Sequence, residues 1–214
     1  DIDIVVETMG GIKFAYEYTK ACLENGKSVV TSNKELVANC GDEFFKIAQK
    51  NNVRYLYEAS VGGAIPVIRP IANDIAANKI KRVSGILNGT TNYILTKMFR
   101  ENDSFQNALK TAQELGYAEK DPTADVDGID ACRKISILMS LVTGKKIDPN
   151  GIYTKGIREL TAEDVTYAAA LNCTIKLIGM GKVKEGTQNT IAITAWKRIT
   201  VTVSCAASGP RLYH

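Results

Sequence analysis

The residues best equipped for chemistry lie in one stretch, E-K-D-P-T-A-D-V-D-G-I-D-A-C-R-K, from Glu119 to Lys134. Asp121-Pro122 should end any preceding helix, because proline bars the helical conformation to the residue before it, and a new helix is predicted from near Asp127 to about Thr143. At about 100° per residue, Ile135, Ile137, Leu138, Leu141 and Val142 fill one arc of that helix, and Arg133, Ser136 and Ser140 fill the other. Asp127, Asp130 and Lys134 fall within the apolar arc, so three charges are expected to point inward, with Asp130 and Lys134 one turn apart. Buried charges are tolerated when paired, which leaves two readings. One is an ion pair that fixes how the helix packs. The other is a polar active-site floor, on which a lysine beside a carboxylate handles protons and binds a polar substrate.

The elements that must position this stretch read as follows. Ile2 to Val6 is strand-like, and a glycine turn over Glu7-Thr8-Met9-Gly10-Gly11 leads to an amphipathic helix from about Lys13 to Glu24, capped by Asn25-Gly26. Lys27 to Thr31 is a second strand, Ser32-Asn33 an N-cap for a helix through Val37, and Asp42 to Asn51 a further helix before the strand Val53 to Tyr57. Strands and helices alternating at this spacing imply βαβ units and a parallel sheet. Ligands then belong at the carboxyl ends of the strands, at Thr8, Ser32 to Lys34 and Glu58 to Gly63. No G-x-G-x-x-G follows a strand, and Gly10-Gly11 and Gly62-Gly63, weak signals alone, read first as plain turns.

A helix is expected over Ile65 to Asn78, then a strand over Arg82 to Leu87 and a helix from about Thr91 to Glu101 behind the polar joint Asn88-Gly89-Thr90. Ser104 caps a helix from Phe105 to Leu115 that Gly116 ends, and Thr161 to Asp164 opens one that reaches about Leu171. Thr174 to Val183 and Thr187 to Ala195 are predicted to pair as a hairpin across Lys184-Glu185-Gly186, whereas Trp196 to His214 has no placeable pattern.

The chain has 214 residues, 45% hydrophobic and 23% charged, which suits an ordinary globular protein. A net charge of +4 spread along the chain gives no basic stripe, so nucleic acid is not expected as a partner. Five dispersed cysteines without a C-x-x-C pair argue against a disulfide framework or zinc site and for reduced thiols in the cytoplasm. No apolar run is long enough to span a membrane, and no signal peptide opens the chain. His214 is the single histidine, which excludes histidine acid/base chemistry and histidine metal sites.

Four segments in one order resemble the homoserine dehydrogenase family: T-S-N-K-E-L-V-A from Thr31, E-A-S-V-G-G-A-I-P from Glu58, G-I-L-N-G-T-T-N-Y-I-L from Gly85 and G-Y-A-E-K-D-P-T-A-D-V-D-G-I-D-A-C-R-K from Gly116. The likeness extends over roughly residues 1–193. It implies an α/β fold in which the C-terminal part of a Rossmann-type nucleotide-binding domain (1–65) precedes an α+β substrate and dimerisation domain with a mixed sheet (66–195). Residues 196–214 are unlike the family. The glycine-rich βαβ unit that opens such enzymes and their usual C-terminal end have no counterpart here, so a fragment is expected.

The resemblance implies NAD(P)-dependent interconversion of L-homoserine and L-aspartate 4-semialdehyde, a step toward threonine and methionine. It makes Lys134 the proton donor and Lys34 a second catalytic lysine that also contacts the cofactor. Glu119, Asp130, Asp125 and Thr90 bind or support substrate, and Thr8 and Gly116 approach the NADP or NAD. Glu58, with carbonyls of Val61, Gly63 and Ile65, matches a monovalent cation site, expected to hold sodium. A homodimer is expected of the full-length enzyme. The alternative is an inactive truncated fragment that survives as a substrate-binding or dimerisation module. An aldehyde dehydrogenase using Cys132 ranks last, since Cys132 falls on the polar arc, away from Lys134.

Overall fold

The computed structural model describes residues 1–183. β1 (Ile4–Glu7), β2 (Ser28–Thr31) and β3 (Tyr55–Leu56) lie side by side in a parallel sheet, with Val29 between Val5 and Tyr55. Parallel neighbours need crossovers, supplied by α1 (Lys13–Glu24) and α2 (Lys34–Lys50). α1 buries Ala15, Thr19 and Leu23, one turn apart each, and its chain reverses at Gly26, where the Lys27 N–H donates to the Cys22 carbonyl.

Two of the expected helices are one. α2 runs unbroken through Gly41, because Val37, Gly41, Phe44 and Ala48 continue a single buried stripe at helical spacing, and that stripe outweighs the glycine's poor propensity. Phe44 anchors it, with its ring 5.4 Å from Tyr16 and 5.3 Å from Tyr55.

The helix expected over residues 65–78 shrinks to a short turn, and two others precede it. α3 (Ala59–Gly62) is a single turn. Gly63, at φ 60° and ψ −116°, then occupies the first central position of a type II′ turn closed by the Ile65 N–H on the Gly62 carbonyl. A π-helical turn, Pro70–Asp74, follows, with the Ile75 N–H reaching the Pro70 carbonyl. Pro70 has no N–H to give to a regular α-helical ladder, which is where the sequence pattern misleads.

The second half comprises β4 (Arg82–Gly85), α4 (Gly89–Glu101), α5 (Phe105–Glu114), α6 (Thr123–Val126), α7 (Ile129–Thr143), α8 (Ala162–Ala170) and β5 (Gly179–Lys182). β4 and β5 pair antiparallel, with Val83 beside Gly181. Only Gly179–Lys182 of the strand expected from Thr174 is extended in a ladder, and the rest of the predicted hairpin, like Trp196 to His214, lies outside the described residues. Gly181 allows β5 to lie directly on α7, since a Cβ there would overlap the Met139 side chain.

α7 is the shared member of every core. Ile137 and Leu138 pack with Leu23, Val29, Leu36 and Phe44 of the first half, and Ala131 packs with Ile94, Leu95, Met98 and Phe105 of the second. Cys132, Ile135 and Met139 form a third cluster with Ile147 and Ile152. The predicted polar arc is therefore corrected. Ser136 is fully buried, its hydroxyl donating to the Arg133 carbonyl, and Cys132 is buried with its thiol on the Pro149 carbonyl. The helix also starts two residues later than expected, behind Gly128 at φ 83°. Asp127 consequently stays outside it and faces Arg158 rather than the interior, in a bidentate pair at 2.9 and 3.0 Å.

Candidate active site

Asp130 sits in the first turn of α7 with its side chain only 7% exposed, and three elements converge on it. Lys134, one turn along, places Nζ 2.9 Å from Oδ2, and Lys34, the first residue of α2, places Nζ 3.0 Å from Oδ1. The Asn88 amide donates to Oδ2 at 2.9 Å and to Oδ1 of Asp125 at 2.6 Å. Burial alone would raise the Asp130 pKa, but Lys134, the Asn88 amide and Lys34 outweigh it and hold the carboxyl below its ordinary value. Lys134 is also fixed by the Leu87 carbonyl, to which Nζ donates at 2.9 Å. An ammonium has three donors, and these contacts use two of them.

Each member owes its place to local sequence. Asn33 caps α2 by accepting the Leu36 N–H at 3.0 Å, which puts Lys34 at the carboxyl end of the parallel sheet. The Asn33 amide also donates to the Met9 and Gly11 carbonyls, tying the loop that carries exposed Thr8 to the same corner. Glu7, buried beneath that loop, accepts the Thr31 hydroxyl and the Met9 N–H. Asn88 caps α4 by accepting the Thr91 N–H at 2.8 Å, so its carbonyl oxygen serves the helix while its amide joins Asp125 to Asp130.

Thr90 donates its hydroxyl to the Tyr117 carbonyl at 2.7 Å, and the rings of Tyr93 and Tyr117 lie 4.9 Å apart. These contacts hold the 116–119 segment against the start of α4. Gly116 turns the chain there at φ 77°, with open space where a Cβ would stand. Glu119 is exposed, and its carboxylate has no partner among the described residues. The structure thus brings Lys34, Lys134, Asp130 and Asp125 into one bonded network, sets Thr90 and Gly116 at its margin through backbone contacts, and leaves Glu119 unbonded.

Asn88 and Glu7 are participants that residue type alone did not single out. A polar loop residue after a strand was the available signal for Asn88, although it reads equally as a helix cap. Glu35, next to Lys34, pairs with Arg133 at 2.6 Å. A cavity of about 500 Å³ opens beside this pair, lined by Ile12, Glu35, Ile129, Cys132, Arg133 and Ile152 among others. Cys132 faces that side, where burial pushes its thiol pKa up and the thiol meets the Pro149 carbonyl.

Glu58 behaves differently from a free ligand. Its Oε1 accepts the N–H groups of Val67 and Ile68 at 2.6 and 2.8 Å, and Oε2 accepts that of Arg69 at 2.7 Å. Burial opposes ionisation, but these donors hold its pKa below the ordinary value. Val61 is buried in α3, Gly63 forms the II′ turn, and Ile65 is 69% exposed beyond it. Among the described residues no cluster of three or more metal-ligating side chains occurs, and no helix is long and apolar enough to cross a membrane.

Comparison with known proteins matches residues 1–58 to the NAD-binding domain model of homoserine dehydrogenase and residues 66–208 to the homoserine dehydrogenase model, which runs into the stretch expected to be unlike the family. The homoserine dehydrogenase of Neisseria gonorrhoeae is 45% identical over 180 residues, covering 84% of this chain and 41% of that protein. Among solved structures, a homoserine dehydrogenase from Thiobacillus denitrificans superposes with a TM-score of 0.84 at 46% identity, over 86% of this chain and 43% of that one. A hyperthermophilic archaeal homoserine dehydrogenase mutant in complex with NADPH gives 0.72 at 33% identity, over 86% and 53%. This chain spans about two fifths of the length of the curated relatives it matches.

Proposed function

The chain belongs to the homoserine dehydrogenase family, and from that premise we propose that it carries the catalytic centre for NAD(P)-dependent interconversion of L-homoserine and L-aspartate 4-semialdehyde. The supporting observation is the Lys134 ammonium, anchored by Asp130 and the Leu87 carbonyl and left with one donor uncommitted. In the reducing direction that donor meets the aldehyde oxygen, stabilises the negative charge developing there and delivers the proton. Asp130 keeps the ammonium aimed, and Asn88 keeps Asp130 in place. Lys34 adds a second positive charge on the nucleotide side. Glu119, unbonded and exposed, receives the substrate ammonium, while Asp125 and Thr90 hold the surrounding loops.

Residues at the carboxyl ends of the strands suit a dinucleotide: the exposed loop at Thr8 tied down by Asn33, with Lys34 beside it and the open backbone at Gly116. NADP or NAD bound there supplies the hydride. Glu58 and the carbonyls of Val61, Gly63 and Ile65 are proposed to hold a monovalent cation, sodium in the first instance. With three N–H groups already on its carboxylate, Glu58 has little charge to spare, which disfavours a divalent ion. The cation would draw the carbonyls of this turn together. A homodimer in the full-length enzyme belongs to the same proposal.

The test is to purify the 214-residue chain and follow NADPH and NADH oxidation with L-aspartate 4-semialdehyde and with succinate semialdehyde, which lacks the amino group. Turnover of the first and discrimination against the second are expected. Absence of turnover, or equal use of both aldehydes, overturns the reading.

A further inference from the structure

Near their starts α2 and α7 are joined by two ion pairs, in which two consecutive residues of one pair with two residues of the other. Lys34 of α2 pairs with Asp130 of α7 at 3.0 Å, and Glu35 of α2 pairs with Arg133 of α7 at 2.6 Å. The exchange is reciprocal: each helix gives one acid and one base. It joins the residues matched to the NAD-binding model to those matched to the catalytic one, across 98 positions of sequence.

A helix N-terminus carries partial positive charge, which favours the acids Glu35 and Asp130 but works against a lysine at the first helical position. Among the described residues, Lys34 is therefore held to its site by Asp130. Its side chain is 39% exposed on a flexible four-carbon stem, whereas Lys134 has both Asp130 and the Leu87 carbonyl. Ile137 and Leu138 fix α7 on Leu36 and Phe44 further along, so what one bond leaves free is the Lys34 side chain and the end of α2 that carries it. A second bond from the adjacent residue secures that end. The Arg133 guanidinium suits that task, since its planar fork is stiffer than an ammonium.

We propose that the Arg133–Glu35 pair is a positioning device that holds the first turn of α2 against α7, and so holds the Lys34 ammonium on Asp130 beside Lys134. Arg133 then acts through Lys34 and not on substrate. Its side chain lines the cavity behind the network, together with Glu35 and Cys132, which is consistent with a supporting place. The catalytic half of this inference rests on the dehydrogenase reading; the geometric half does not.

The experiment uses the 214-residue chain, the variants Arg133→Met, Arg133→Lys and Glu35→Gln, and two readouts. The first is the ¹⁵N resonance of each lysine ammonium, recorded at low temperature and mildly acidic pH, where an ammonium held in an ion pair is protected from solvent exchange. Loss of the Lys34 signal in Arg133→Met and Glu35→Gln, with the Lys134 signal kept and the Lys34 signal restored in Arg133→Lys, is the expected result. Glu35→Gln covers the case in which Arg133→Met does not fold. A Lys34 signal unchanged in both neutral variants overturns the proposal, even if melting temperature falls. Loss of both lysine signals also overturns it, because the start of α7 itself would then have moved. The second readout is turnover, expected to fall about tenfold in kcat, the scale on which small misplacements act, with dinucleotide KM raised because Lys34 also stands beside the dinucleotide, and aldehyde KM nearly unchanged. Unaltered kcat in a variant that has lost the Lys34 signal overturns the catalytic half, and a chain without turnover overturns the dehydrogenase reading while leaving the ammonium signals to decide the geometry.

Discussion

Asp130 and Glu58 are both carboxylates held below their ordinary pKa, yet their partners differ in kind. Asp130 is surrounded by side chains from three elements: Lys134 of α7, Lys34 of α2 and the Asn88 cap of α4. Glu58 is surrounded by backbone, the N–H groups of Val67, Ile68 and Arg69. Backbone donors belong to the chain trace, so Glu58 secures a turn. Side-chain cations can be turned toward a bound molecule, so the Asp130 network can do chemistry as well as hold the fold. A lowered carboxylate pKa alone does not separate these roles; the identity of the donors does.

The sharpest way to break the comparison is Lys134→Ala. Turnover of aspartate semialdehyde is expected to drop by about two orders of magnitude, the usual consequence of removing one proton donor or charge stabiliser. Dinucleotide affinity, measured by fluorescence titration, should stay close to that of the wild type. Retained turnover would move Asp130 and Lys134 into the same class as Glu58, an ion pair that only packs a helix.

Glu58→Gln should do the reverse. The amide keeps one oxygen acceptor and exchanges the other for a donor, so at least one N–H of residues 67–69 loses its bond. After allowance for partial exposure, the loss is about 1 kcal/mol in urea unfolding. Turnover should fall by much less than in Lys134→Ala, and the sodium concentration that supports it should rise, since Glu58 is also the proposed cation ligand. A collapse of kcat without a change in stability would show that this turn serves the reaction directly.

The two sites should share one pH dependence. Each carboxyl has a folded pKa below its unfolded value, so each contributes stability that is fully present above the unfolded pKa, about 4. That contribution is lost as pH falls through the lower folded value. Urea midpoints measured from neutral pH downward should therefore decline less steeply in Asp130→Asn and in Glu58→Gln than in the wild type. An acid limb of unchanged slope in either variant would remove that residue from the comparison.

How far the sequence was readable follows from the range of each interaction. The limits of α1, the Asn33 cap and the Thr161–Asp164 capping box were legible, because their causes lie within a few residues. So was the pairing of Asp130 with Lys134, one turn apart. The Asn88 amide was not, since its partners stand 37 and 42 positions away. The burial of Ser136 and Cys132 escaped for a related reason. A helical wheel assumes one wet side, whereas three packing clusters meet around α7. The resemblance proposed Lys134 and Lys34, which both meet Asp130; it did not reveal that Glu58 is already engaged by three backbone donors.

Asp127 supplies the smallest effect and a control on all the others. It stands three residues before Asp130 and was expected on the same buried arc, but the delayed start of α7 turns it outward to Arg158. The pair has good bidentate geometry, yet both side chains are substantially exposed, at 37% and 50%. Water and salt screen such a pair, and ordering two long side chains offsets much of its attraction. Asp127→Asn keeps the size of the side chain and removes its charge. It should leave the urea midpoint nearly unchanged, with a difference smaller than for Glu58→Gln and shrinking further as salt is raised. Turnover should be unaffected, because no bond connects Asp127 to Lys134 or Lys34. A salt-independent loss of stability as large as that of Glu58→Gln would show that Asp127 lies inside the packed structure, and would restore the inward-facing arrangement that the helical wheel predicts.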